Sequence, residues 1–137
     1  MSIREIIRAR CTGHAGINAI VGSAVYPDAL PDPDKLPVGM SLLPALVYKR
    51  VSGNPSAYRS HGGGGGRETV RIQFDCYAET GDEAAALADE VVKCWNGYRG
   101  APIGSAFVDN RLTFNELEIG RYREIVDVMI DYEVTHA

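Results

Sequence analysis

The sequence predicts an α+β domain: an antiparallel sheet of about four strands, one main helix packed on one face, and a short N-terminal helix. Three observations support this class. Residues 68–78 alternate apolar and polar side chains, residues 80–97 have the features of a capped amphipathic helix, and residues 122–134 alternate again. A period of two indicates a strand with one buried face, and recurrence every three or four residues indicates a helix with one buried face.

The N-terminal segment is predicted to be a short helix over residues 3–11. Ser2 and Glu5 have the spacing of a capping box, which satisfies the first amides of a helix. One face of the segment is apolar, through Ile3, Ile6, Ile7 and Cys11. Residues 17–21 predict one more turn before Gly22.

His14 lies at the junction between these two turns of helix. We expect its imidazole to cap a helix or to face solvent, because no second metal ligand lies three or four residues away. No metal site is therefore predicted at this histidine.

A short edge strand is predicted at residues 25–27, because Pro27 lacks the amide that a central strand must donate. Prolines and aspartates alternate over the next ten residues, which predicts a stiff exposed connection. Asp28, Asp32 and Asp34 do not predict a calcium site, because the loop lacks the glycine and the terminal glutamate of an EF-hand.

Residues 52–67 separate a strand predicted at residues 45–51 from the strand at residues 68–78. Five consecutive glycines make this segment costly to order. Two interpretations remain open: a flexible hairpin tip, or an arm that becomes ordered against a partner. The second is favoured, because several side chains here are typical of interfaces. The proposed interface residues are Tyr58, Arg59, His61, Gly62, Gly63, Gly64, Gly65, Gly66 and Arg67.

The strand at residues 68–78 and the helix after it are the central elements. Val70, Ile72, Phe74, Cys76 and Ala78 share the apolar face of the strand. Thr80 and Glu83 predict the start of the helix, and Gly97 its end. Trp95 is expected to be a core residue, with an interface anchor as the alternative.

Two further strands are predicted at the C-terminal end. The first, over residues 106–114, is broken near Asp109 and Asn110, and the second covers residues 122–134. Ile119 and Gly120 are expected to provide the reversal between them. The acidic side chains at positions 127, 131 and 133 are interpreted as a solvated face.

Length and composition predict a single domain over residues 1–137. The net charge of −4 disfavours a protein that wraps nucleic acid, which requires a basic face. No signal peptide or membrane span is recognised, so we expect a soluble protein made in the cytoplasm. Cys11, Cys76 and Cys94 lack zinc spacing, and buried reduced thiols are expected.

No motif indicates a catalytic, cofactor or metal site, and an enzyme is not predicted. The glycine run is not a phosphate-binding loop, because a strand follows where a helix should begin. Two rival functions remain open. One is a small enzyme or ligand binder with Tyr48, His61, Arg67 and Asp75 in a cleft, and the other is a nucleic-acid binder that uses the basic residues of the loop, Arg59, His61 and Arg67.

The order of these elements over nearly the whole chain resembles a family of phage tail-completion proteins, the tail terminators or head-to-tail joining proteins of phages, prophages and gene transfer agents. The glycine run and the proline-rich segment at residues 28–37 depart from that pattern. The resemblance rests on residues 19–22, 25–27, 44–53, 71–78, 84–95 and 122–132.

The resemblance implies a structural part of the virion tail, located at the head-tail junction and made in the bacterial cytoplasm. About six copies would close into a ring on the finished tail tube, stop its growth and offer a surface to the head connector, or stopper. The expected partners are other copies of the chain, the tail tube protein and the connector. DNA would pass through the lumen without specific binding, and no membrane or cofactor would be involved.

Overall fold

The computed structural model describes residues 2–36, 41–55 and 65–135. Its helices are α1 (Ile3–Gly13), α2 (Ala15–Val21) and α3 (Gly81–Trp95), and its strands are β1 (Val25–Pro27), β2 (Ala45–Pro55), β3 (Gly65–Ala78), β4 (Ile103–Thr113) and β5 (Tyr122–Thr135). Single turns of 3₁₀ helix lie at Pro33–Lys35 and Leu117–Ile119. The predicted α+β class is confirmed.

The strands form one sheet of five, in the order β1-β2-β3-β5-β4. Neighbouring strands are antiparallel except at the β1 edge, where β1 pairs parallel to β2 and Val25 lies beside Leu46. The sheet is therefore mixed and has one strand more than the expected number of about four. A three-residue strand carries too few side chains for its sequence to indicate a direction.

The core lies between the sheet and its helices. Trp95 and Leu87 of α3 and Phe74 of β3 are each 0% exposed, and the rings of Trp95 and Phe74 lie 5.8 Å apart between centroids. Ile7 of α1 and Ile17 of α2 are also fully buried against this core. Burying side chains of this size contributes roughly 1.5–3 kcal/mol each, and the prediction that Trp95 is a core residue is confirmed.

The predicted helix caps form. The Ser2 hydroxyl accepts a hydrogen bond of 3.2 Å from the Glu5 amide, and the Thr80 hydroxyl accepts one of the same length from the Glu83 amide. His14 caps α2, since its Nδ1 accepts from the amide of Ile17 at 3.3 Å. These side-chain acceptors satisfy amides that have no partner inside their own helix.

The break predicted near Asp109 and Asn110 is a bulge inside a continuous strand. The register between β4 and β5 shifts between Val108 and Asn110, and both strands continue on either side of the shift. The chain then reverses at Gly120, whose φ of +66° lies in the left-handed region that glycine adopts without strain.

Two further sequence expectations concern the cysteines and the aspartates. All three cysteines are buried free thiols, as expected for core residues. Asp28 forms an ion pair with Arg4 at 2.5 Å, while Asp32 caps the amide of Asp34 at 3.0 Å.

None of the helices in the described ranges is long and apolar enough to cross a membrane.

Candidate subunit interface

The predicted arm is shorter than its sequence suggests, because strands enter it from both ends. Ser52 and Pro55 pair with Arg71 and Glu68, and Gly65 pairs with Thr135 of β5. Backbone amides and carbonyls make this ladder, so the low strand propensity of glycine does not prevent it, and Pro55 lies at the last position of β2. Of the proposed interface residues, Gly65, Gly66 and Arg67 begin β3, whereas Tyr58, Arg59, His61, Gly62, Gly63 and Gly64 lie outside the described residues.

Side chains fix the base of the arm to three strands. Glu68 of β3 forms an ion pair with Arg50 of β2 and accepts a 3.1 Å hydrogen bond from the hydroxyl of Tyr132 on β5. Burial and the nearby Glu68 carboxylate raise the pKa of Tyr132, so this hydroxyl stays protonated and donates. These contacts fix the position of the strand from which the arm extends.

The sheet face away from α3 carries a buried polar cluster. Asp75 is 1% exposed, although the alternation of β3 puts it on the polar face. Its carboxylate accepts a 2.7 Å hydrogen bond from Gln73 and lies 3.5 Å from the ammonium of Lys49. Arg123 of β5 donates to the hydroxyl of Tyr77 at 2.9 Å, and that guanidinium is 3.9 Å from Asp75.

Asp127, which the sequence predicted to lie on a solvated face, lies beside a cation of the neighbouring strand. Its carboxylate lies 3.5 Å from Arg71 of β3, and Arg71 also pairs with Asp109 of β4 at 2.8 Å. These charges tie the three strands together. A structural role therefore accounts for them.

The turn between β4 and β5 exposes large apolar side chains. We define the acidic tip as residues 114–119, with the sequence Phe-Asn-Glu-Leu-Glu-Ile. Phe114, Leu117 and Ile119 are 53%, 66% and 59% exposed. Two glutamates, Glu116 and Glu118, are interleaved with these apolar residues.

Apolar exposure continues from the acidic tip onto β4. Phe107 and Leu112 are 51% and 50% exposed, and β4 forms one edge of the sheet. Separate exposed apolar residues are ordinary, but a group at one edge and one turn is typical of a contact surface. This surface was not predicted from the sequence, although three large apolar residues within a six-residue turn could have indicated it.

An open groove of about 710 Å³ lies at the other end of β4. We define it as the N-terminal groove. Arg10 of α1 lines it, with its guanidinium 3.3 Å from the centre of the Tyr98 ring and donating at 3.0 and 2.6 Å to the carbonyl of Cys94. Its main lining residues are Ile6, Ala9, Arg10, Tyr98, Ala101 and Pro102.

The cleft proposed for an enzyme does not form from the residues named for it. Tyr48 pairs with Phe74, and Asp75 pairs with Val47, so Tyr48 and Asp75 point to opposite faces of the sheet. His61 lies outside the described residues, as does Arg59 of the proposed nucleic-acid loop. In the described part of the chain, no three potential metal ligands lie together.

Comparisons with known proteins agree with this architecture. The sequence profile of the family described as "Tail completion protein gp17" matches residues 5–134. A chain in the virion of a native gene transfer agent particle has a similar fold, with a TM-score of 0.64 and 15% sequence identity over 97% of this chain and 96% of that one. Among curated proteins, no significant sequence match is found.

Proposed function

The chain belongs to the tail completion protein gp17 family, and on that premise we propose that its copies form a ring on the end of the finished tail tube. The ring stops growth of the tube and provides the surface to which the head connector attaches. The family match carries this proposal, because it extends over residues 5–134 and so includes every helix and strand except the first two residues of α1 and the last of β5. As a family member, the chain is a structural protein of the virion tail.

The surface of the protein supports assembly from identical copies. The exposed apolar side chains of Phe114, Leu117 and Ile119 follow the last residue of β4, and an open groove lies beside its first. Contacts between two different surfaces of one protein generate closed rings when the rotation between neighbours completes a circle. We propose about six copies, as in the family that the sequence resembles, and a geometric function without catalysis.

The net charge of −4 is consistent with a lumen through which DNA passes. Tight binding to DNA requires cations that displace the counterions of the phosphates. An acidic ring lets DNA move through it without being held. We therefore propose the other copies, the tail tube protein and the head connector as partners, with the ring at the head-tail junction.

The arm at residues 52–67 is proposed to contact the tail tube or a neighbouring copy. Its support is the fixed base formed by Arg50, Glu68 and Tyr132, together with the interface-type side chains Tyr58 and Arg59. An arm anchored at its base loses less orientational freedom when it binds than one on a loose hinge.

Deletion of the gene in its host, followed by electron microscopy of the particles, tests the function. Tails without the protein are expected to vary in length and to lack heads, and expression of the intact chain should restore uniform, head-joined tails. Uniform, head-joined tails in the absence of the protein would refute the proposal.

A further inference from the structure

The proposed ring requires a specific contact between neighbours, and we propose that the acidic tip of one copy docks into the N-terminal groove of the next. This inference rests on the proposed function, because it assigns the contact that would close the ring. Its occupant is a second copy of this chain, with the tail tube protein as the competing occupant.

The acidic tip has the composition of a docking element. Leu117 and Ile119 are more than half exposed, so docking would remove two large apolar side chains from water. Within the described ranges no ion pair engages Glu118. The acidic tip therefore has both apolar area and a negative charge available for a partner.

The N-terminal groove has the complementary composition. Ala9, Ala101 and Pro102 provide apolar walls, and Arg10 provides a cation that no described carboxylate neutralises. The Glu118 carboxylate of the acidic tip and the Arg10 guanidinium of the groove therefore carry opposite charges, and such complementarity selects both partner and orientation.

Both surfaces are held in shape before any contact forms. The guanidinium of Arg10 is fixed by the Tyr98 ring and by the carbonyl of Cys94. In the acidic tip, the backbones of Glu116 and Arg121 pair through hydrogen bonds of 2.8 and 3.1 Å. Preorganised surfaces lose less conformational entropy on association.

The acidic tip and the N-terminal groove lie at opposite ends of β4. Pro102 precedes the first residue of β4, and Phe114 follows its last, so the 11 residues of β4 separate the groove from the acidic tip by roughly 36 Å at about 3.3 Å per residue. A rigid copy cannot place its acidic tip in its own groove. The contact is therefore between different surfaces of neighbouring copies, the kind that closes rings.

Disulfide trapping on purified tails tests this contact. The test variant carries Ala9→Cys in the groove and Leu117→Cys in the acidic tip, two exposed positions in a chain whose own three cysteines are buried. Under mild oxidation we expect a ladder of covalent multimers on non-reducing gels, ending at the copy number of the ring. The matched control replaces the groove position with Ala86→Cys, on the exposed side of α3, and should give no ladder.

The outcomes separate this contact from the proposed function. Rings on tail ends without a ladder, or a covalent product joining the Ala9→Cys groove to the tube protein, would overturn the contact and leave the ring intact. A ladder from the purified protein, combined with normal tails in its absence, would support the contact and refute the function. A chain that neither associates nor cross-links would contradict both.

Discussion

On the sheet face away from α3, the carboxylate of Asp75 accepts a 2.7 Å hydrogen bond from Gln73, two residues earlier on the same strand. Asp75 is 1% exposed, and the nearest cations are those of Lys49 at 3.5 Å and Arg123 at 3.9 Å. A buried carboxylate is costly unless such groups surround it. This cluster therefore joins β2, β3 and β5 through a single side chain.

Replacement of Asp75 with alanine should lower the free energy of unfolding by about 1–3 kcal/mol, because it removes the carboxylate that accepts from Gln73 and that lies beside the Lys49 ammonium. Asp75→Asn keeps an acceptor oxygen and the size of the side chain, so its loss should be smaller. Urea denaturation of both variants measures the difference. An alanine variant as stable as the native chain would show that the cluster contributes nothing to stability.

Trp95 is the largest fully buried side chain. Trp95→Ala should cost about 3–5 kcal/mol, since it removes the contacts with Phe74 and Tyr98 and leaves a cavity. Trp95→Phe keeps an aromatic ring in the same place and should cost less. Calorimetric unfolding compares the two, and equal stability of the alanine variant would contradict the described core.

The three native thiols should not react with a thiol reagent until the protein unfolds. The thiolate is the reactive form, and burial raises the pKa of Cys76 far above its usual value. Cys11 and Cys94 are 0% and 1% exposed and are inaccessible to the reagent. Absorbance after addition of the reagent should show no rapid reaction in buffer and three equivalents in denaturant.

The Ala86→Cys variant is the control for that measurement, because its exposed thiol should react at once. Rapid reaction of a native cysteine in the folded protein would mean that the helix contacts which cover it are open in solution.

Deletion of Gly62–Gly66 should leave a folded domain that fails to yield head-joined tails. The core residues lie elsewhere, and the deletion removes only two ladder positions, Gly65 and Gly66, from the described part of the chain. Circular dichroism measures folding, and particle counts by electron microscopy measure joining.

A variant that keeps the length of the arm serves as its partner: Tyr58→Ala, Arg59→Ala and His61→Ala combined. If side chains make the contact, this variant should fail as the deletion does. Full-length, head-joined tails from both variants would exclude a role of the arm in assembly.

The sequence predicted the elements whose signals are local. The alternation of β3, the caps at Ser2 and Thr80, and the glycine stop at Gly97 all depend on residues within a few positions of one another. The bulge at Asn110 was also visible, as a break in alternation. These features follow from backbone geometry and side-chain periodicity, which neighbouring residues determine.

The features that were missed depend on residues distant in the sequence. The parallel pairing of Val25 with Leu46 brings together segments whose residues do not signal direction. Asp75 is buried beside Lys49 of β2 and Arg123 of β5, which the alternation of β3 cannot reveal. The N-terminal groove joins Arg10 to Tyr98, so it exists only after α1 packs beside the turn that precedes β4.

The central claim is that copies of this chain form a ring at the end of the tail tube. High-resolution electron microscopy of intact particles, focused on the tail end that meets the head, measures this directly. The account predicts a closed ring of about six copies at that junction. The density of each copy should fit the sheet of β1 to β5 with α3. A junction without this chain, or single copies scattered along the tube, would contradict it.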